Sequence, residues 1–257
     1  TIMAGQKIIL VTGASSGIGA DAAATLKARG WRVFATARKA DDLARLRSAG
    51  IEALHLDYAD AASIAAASEQ LLDATGGRLD ALFNNGGFGQ VGAVEDLSTD
   101  LLRRQFEANF FGWHDLTRRI LPVMRRQGSG RIVQCSSVLG YVAGKYRGAY
   151  VASKHALEGL TDTLRMELTG SGIHVVLIEP GPIASRFQEN ALANFRKTVD
   201  IAASPHRADY ESQLARLTGT RPRPTTRYRI TTLAKGAAFL KRILPDRTLD
   251  GLIARNS

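Results

Sequence analysis

Apolar and polar positions follow two rhythms along this chain. Short β-branched runs at 7–12, 32–36, 51–56, 81–83, 131–135, 174–178 and 227–231 read as strands. Between them apolar residues recur every three or four positions, as in Ile18, Ala22 and Leu26, in Leu43 and Leu46, and in Leu157, Leu160, Leu164 and Leu168. That spacing is one face of a helix. Strand alternating with helix predicts a parallel sheet, because a parallel connection needs a crossover long enough to hold a helix. The reading is one doubly wound α/β domain over 1–257, with helices on both faces and no internal repeat or low-complexity linker. The same pattern alone would also suit an α/β sheet with no nucleotide site.

The first strand runs into Gly13-Ala-Ser15-Ser16-Gly17-Ile18-Gly19 and then an alanine-rich helix. A glycine turn between strand and helix lets backbone N–H groups and a helix N-terminus approach a pyrophosphate. The second strand ends in Ala37-Arg38. An acid at this point would bind a ribose 2′-hydroxyl, whereas an arginine accommodates a 2′-phosphate. Arg38 therefore predicts NADP(H) as the cofactor. The bland alternative is a solvated arginine at a strand end.

Tyr150 and Lys154 lie four apart in Tyr150-Val-Ala-Ser-Lys154 and project from one helix face. A nearby ammonium favours a phenolate, so Lys154 is expected to lower the Tyr150 pKa into a range useful for acid–base work. Tyr-x-x-x-Lys is common by chance as a surface helix pair, and its weight comes from its neighbours. The strand at 131–135 ends in Ser136-Ser137, at the sheet end where ligands bind in open α/β folds. A hydroxyl there can donate to a developing alkoxide. Asn84-Asn-Gly86-Gly87 ends the preceding strand with small residues. Asn109, an amide inside Phe106-Glu-Ala-Asn-Phe-Phe-Gly112, must be satisfied by water or backbone.

In order and spacing these residues resemble the short-chain dehydrogenase/reductase superfamily over nearly the whole chain. The signal is Thr12-Gly-Ala-Ser-Ser-Gly-Ile-Gly19, Asn84-Asn-Gly-Gly87, Asn109, Ser137, Tyr150-x-x-x-Lys154 and Pro180-Gly181 together. Glu179-Pro-Gly-Pro-Ile183 and 150–160 look most like the hydroxysteroid/retinol dehydrogenase-like branch. The resemblance implies a Rossmann-type, mostly parallel, seven-stranded sheet, and interconversion of a carbonyl with an alcohol on an apolar substrate of steroid, retinoid or aryl type. It implies Ser137, Tyr150, Lys154 and Asn109 as the catalytic set, with Asn109 positioning a water that links Lys154 to solvent. It also implies cofactor contacts from the glycine turn, Arg38, Asp57 (to the adenine), Asn84, Gly86, Tyr150, Lys154, Pro180, Gly181, Ile183 and Ser185. Gly86 stands where alanine is usual in the family. A homodimer or homotetramer is implied, with 185–217 as a substrate lid containing Phe187, Leu192, Phe195 and Tyr210. Lys145 and Arg147 stand on a loop that lines the pocket in relatives, where they meet either solvent, the favoured reading, or a polar or acidic substrate group.

Composition narrows the rest. With 45% hydrophobic and 23% charged residues the chain is of ordinary globular make-up. No run reaches the roughly 18 apolar residues of a membrane span. No signal-peptide pattern precedes the first strand, and Cys135 is the only cysteine, so the expected compartment is cytoplasmic. Cys135 reads as inert packing, and the five histidines lack metal-ligand spacing, so no metal is expected. The net charge is +10, which raises the question of nucleic acid or membrane. Nine basic residues between Arg216 and Arg247 face one acid, Asp246, so this stretch holds most of the excess. No interleaved aromatic platform or reading helix accompanies it, and nucleic acid is not expected as a partner. The tail 233–257 is amphipathic and basic, suited to docking on the domain or to peripheral contact with an anionic membrane. Only 219–224 separates the lid from the last expected strand. Either the lid helices form that crossover, or a helix-sized segment is missing there. A non-catalytic dinucleotide sensor on the same fold is the alternative function. It needs no proton donor, so the presence of Ser137, Tyr150 and Lys154 argues against it.

Overall fold

The computed structural model describes residues 5–183 and 185–218, with side chains as far as Leu214. Six strands form one parallel sheet: β1 (Ile8–Val11), β2 (Arg32–Ala37), β3 (Glu52–His55), β4 (Ala81–Asn84), β5 (Gly130–Cys135) and β6 (Ile173–Ile178), in the order β3-β2-β1-β4-β5-β6. β1 and β4 are buried at every position, which is why their sequences run apolar without alternating. The register pairs Leu10 with Phe34 on one side and with Leu82 on the other. The strand order reverses at β1, which is flanked by β2 and β4. This reversal opens a crevice at the carboxyl ends of the strands.

Eight α-helices accompany the sheet among the described residues: α1 (Gly17–Ala28), α2 (Ala40–Ser48), α3 (Ala61–Thr75), α4 (Thr99–Phe106), α5 (Gly112–Gln127), α6 (Gly148–Glu167), α7 (Arg186–Thr198) and α8 (Arg207–Thr218). Local signals set their ends. Asp60 caps α3 by accepting from Ala62 N at 2.9 Å, and Gly76 closes it in a left-handed conformation. The predicted faces of α1 and α2 pack as expected, with Leu43 and Leu46 buried. In α6, Leu157 is buried and Leu164 packs against the core, as does the buried Leu168 just past the helix end, but Leu160 faces solvent. α6 begins two residues before Tyr150.

One wide turn joins α4 to α5. Residues Glu107–Phe111 form a π-helical segment, which rotates Asn109 into the interior, where it is fully buried. A second, smaller core lies beside the main one. Ala93, Tyr146, Phe195, Val199 and Tyr210 bury one another and hold α7 and α8 against the loop at 91–97. The seventh strand expected at 227–231, the tail at 233–257 and the short connection at 219–224 lie outside the described residues.

Candidate active site

A cleft of ≈ 470 Å³ opens at the carboxyl ends of the strands, within the range of small-molecule sites. Gly13, Ser15, Ser16, Gly17, Ile18, Arg38, Asp57, Gly86, Asn109, Ser137, Tyr150, Lys154, Pro180, Gly181, Ile183 and Ser185 all line it. Two of the expected cofactor contacts do not. Asn84 is fully buried: its Oδ1 accepts from the Tyr58 hydroxyl at 2.7 Å and its Nδ2 donates to Thr117 Oγ1 at 3.1 Å. It braces β4 from behind, while Asn85 reaches the cleft. Gly19 is buried under the turn, where a Cβ would lie 2.6 Å from Gly13 O and from Asn85 Nδ2. A side chain at this position would therefore collide with the turn itself.

The glycine turn fits a dinucleotide on two counts. Gly13 has φ 63°, and a Cβ there would lie 2.3 Å from Gly86 Cα, so only glycine lets the two loops meet. The N-cap of α1, Ser16, makes no side-chain capping bond, and the first turn carries no acid. The N–H groups of that turn are therefore open toward the cleft, as an anion site requires. At Gly86 a Cβ would meet Tyr58 Cε2 and the Gly13 backbone at 3.2 Å, so alanine there would require these neighbours to shift by a few tenths of an ångström. At the far end, Arg38 stands 3.9 Å from Asp57, both partly in water.

Around Tyr150 the chemistry differs from the sequence-based expectation. Burial pushes the Tyr150 phenol up to about 12, and the hydrogen bond to Ser137 and the charge of Arg147 oppose this only in part. Lys154 does not supply the expected lowering. Its ammonium is 5.6 Å from the Tyr150 ring centroid and donates instead to Cys135 O at 2.7 Å, while lying 4.3 Å over the Trp113 ring. Burial lowers Lys154 itself to about 8. Desolvation outweighs charge at both groups because both are taken out of water. Ser137 accepts from Leu139 N at 3.1 Å, which fixes its hydroxyl at the end of β5.

The Asn109 amide is satisfied by backbone, one of the two partners expected for it. Its Oδ1 accepts from Phe88 N at 3.1 Å and its Nδ2 donates to Phe88 O at 2.9 Å. Both ends of the amide hold the 86–89 loop as a wall of the cleft. The Cys135 thiol is buried and its pKa raised, consistent with packing.

The aromatic residues of 185–217 separate cleanly. Phe187 stands edge-on to Tyr150 at 5.6 Å between centroids and faces the cleft. Phe195 and Tyr210 belong to the second core. Lys145 is paired with Asp209 at 2.6 Å, whereas Arg147 lines the cleft. Sequence reasoning missed Phe88 and Leu139, which also line it, and covered Gln188 and Asn190 only as part of the 185–217 segment. They belong to loops or to the start of α7, and no motif marks them.

Residues 7–195 match the family model described as short chain dehydrogenase. The chain is 41% identical over 262 residues to an uncharacterized oxidoreductase, YbbO, of Escherichia coli, covering 96% of this chain and 94% of that one. It is 36% identical to human 17-beta-hydroxysteroid dehydrogenase type 1, over 76% of this chain and 62% of that protein. A variant of actinorhodin polyketide ketoreductase, solved with NADPH, superposes with a TM-score of 0.70 at 30% identity, covering 93% of this chain and 92% of that one.

Proposed function

The chain belongs to the short-chain dehydrogenase family, an oxidoreductase family, and from that premise we propose that it interconverts a carbonyl and an alcohol with NADP(H). The observation that carries this reading is the convergence of Ser137, Tyr150 and Lys154 on one cleft with the uncapped turn of α1. Bound along that cleft, the nicotinamide cofactor supplies or takes up the hydride. The chain's own groups do the rest. The protonated Tyr150 phenol gives its proton to the carbonyl oxygen during reduction and recovers it in the reverse direction. Ser137 holds that oxygen. Lys154, with two donors left after its bond to Cys135 O, would hold a ribose hydroxyl of the cofactor. The backbone N–H groups of the first turn of α1 bind the pyrophosphate, and Arg38 faces the 2′-phosphate.

The substrate is an apolar compound of steroid, retinoid or aryl type, in keeping with Phe88, Leu139 and Phe187 on the cleft wall. The segment 185–217 acts as its lid. The protein assembles as a homodimer or homotetramer. Phe111, 49% exposed, and Leu102, 39% exposed, offer an apolar face near the α4–α5 junction; a monomer by light scattering rules this out. The test of function is a panel of aryl, steroid and retinoid carbonyls with NADPH absorbance as readout. Wild type turns over members of the panel, and Tyr150→Phe loses at least about a hundredfold in kcat while still binding NADPH. Full activity in that variant refutes the assignment.

A further inference from the structure

Two neighbouring cations on the loop before α6 have different fates. Lys145 faces away from the cleft and is matched by Asp209. Arg147 lines the cleft, is half-buried, and its guanidinium has no carboxylate or hydrogen-bond partner among the described residues. The backbone between them explains the split. Tyr146 holds a left-handed conformation, φ 62°, a strained state for a residue with a bulky side chain. It is fixed there because its ring is buried against Tyr210 at 5.1 Å and its hydroxyl donates to Asp209. The chain is thus turned so that consecutive side chains diverge, Tyr146 into the second core and Arg147 into the cleft.

Few acids share that space. Among the described lining residues the one carboxylate is Asp57, which faces Arg38 near the ends of β2 and β3. Apolar Val138, Leu139, Phe88 and Phe187 line the same cleft. Burial lowers the Arg147 pKa, the mark of a charge short of solvent and counter-charge. An unmatched guanidinium beside apolar walls is costly unless an anion completes it. Arg147 is also the N-cap of α6, which makes no side-chain capping bond, so the helix N-terminus adds to the attraction for negative charge. Tyr150 lies three residues on, one helical turn away and on the same side.

We propose that Arg147 is a receptor for an anionic group on the substrate, so that the preferred carbonyl compounds carry a carboxylate on their apolar body, a few bonds from the reacting carbon. This rests on the oxidoreductase reading above. The planar guanidinium suits a carboxylate through two parallel N–H donors.

The experiment compares 3- and 4-formylbenzoate with their methyl esters as substrates of the full chain with NADPH. The pairs differ in charge and hardly in shape. In wild type the better acid exceeds its ester by about tenfold or more in kcat/KM, mainly through KM. In Arg147→Met the ratio of acid to ester falls to about one, and Arg147→Lys restores part of it. Equal turnover of acid and ester by wild type overturns the proposal, as does an unchanged ratio in Arg147→Met. The same compounds are followed by saturation-transfer NMR with the NADPH-loaded protein. Stronger transfer to the acid than to the ester, lost in Arg147→Met, supports the anion site. Equal transfer overturns it even where no turnover is seen. Absence of turnover with every compound of the wider carbonyl panel counts against the oxidoreductase reading itself, so the two failures are distinct.

Discussion

The ammonium of Lys154 has been taken out of water and given one carbonyl, Cys135 O, and the face of Trp113 in exchange. Its pKa falls to about 8 in the folded chain, against about 10.4 when unfolded. Between those values the unfolded chain binds the proton more tightly, so stability rises with pH across that window. Below it the buried charge costs on the order of 3 kcal/mol, a net figure that already includes its bond to Cys135. Lys154→Met removes the charge, and we expect it to raise the Tm at pH 7 by several degrees while abolishing turnover. The gain shrinks as pH approaches about 10. A Tm below wild type at pH 7 contradicts this account. At Tyr150 the same physics keeps the phenol protonated at neutral pH, which suits a proton donor.

Residue types at this scale were legible in the sequence, but their electrostatics were not. Tyr150, Lys154 and Ser137 stand together in the cleft as their order along the chain suggested. The direction of the Tyr150 shift was misread, because spacing on a helix gives proximity without solvent exposure. Asn84 and Asn109 show the same limit. Both are amides within motifs, yet one braces Tyr58 and Thr117 and the other holds the backbone of Phe88. Which hydrogen bonds an amide makes depends on residues 21 to 33 positions away.

Among the elements, α7 and α8 form a unit with its own core. Tyr210 ties it down: the hydroxyl donates to Asp96 Oδ2 at 2.5 Å and accepts from Ala93 N at 2.6 Å. Asp96 also accepts from Ser204 at 2.6 Å, and His206 pairs with Glu95 at 2.6 Å. Tyr210→Phe keeps the ring but leaves the buried Ala93 N–H without a partner, at about 1–3 kcal/mol. The expected result is faster hydrogen exchange confined to 91–97 and 186–218, with a raised KM for substrate. Uniformly faster exchange across the sheet would mean that the unit is not a separate core. In the sequence, Phe187, Phe195 and Tyr210 were equivalent candidates for the pocket. Helical periodicity places them on faces, but which face meets the cleft follows from how α7 and α8 sit against the loop at 91–97.

For the whole molecule, ligand binding and stability are linked. A cofactor that binds only the folded chain stabilises it by about 2.7 kcal/mol at a hundred times its Kd, about 5–10 °C in Tm for a chain of this size. At equal concentration NADPH is expected to shift the Tm more than NADH does. Arg38→Asp should reverse that order, because a carboxylate repels the 2′-phosphate and accepts from a 2′-hydroxyl. Equal shifts by both nucleotides in wild type would remove Arg38 as the phosphate reader.

Sequence alone determined the alternation of strand and helix, the glycine turn before α1, and the pairing of Tyr150 with Lys154 on one helix. These rest on short-range rules: side-chain periodicity, the φ a glycine permits, and the fixed rise of a helix. The tertiary structure decided which neighbours remove water from Tyr150 and Lys154, and which aromatic residue faces the cleft. It also decided which of two adjacent cations is matched by an acid, because Asp209, 64 positions from Lys145, lies on α8. Burial and charge pairing are sums over residues distant in the chain, and they exist only once the sheet has brought those residues together.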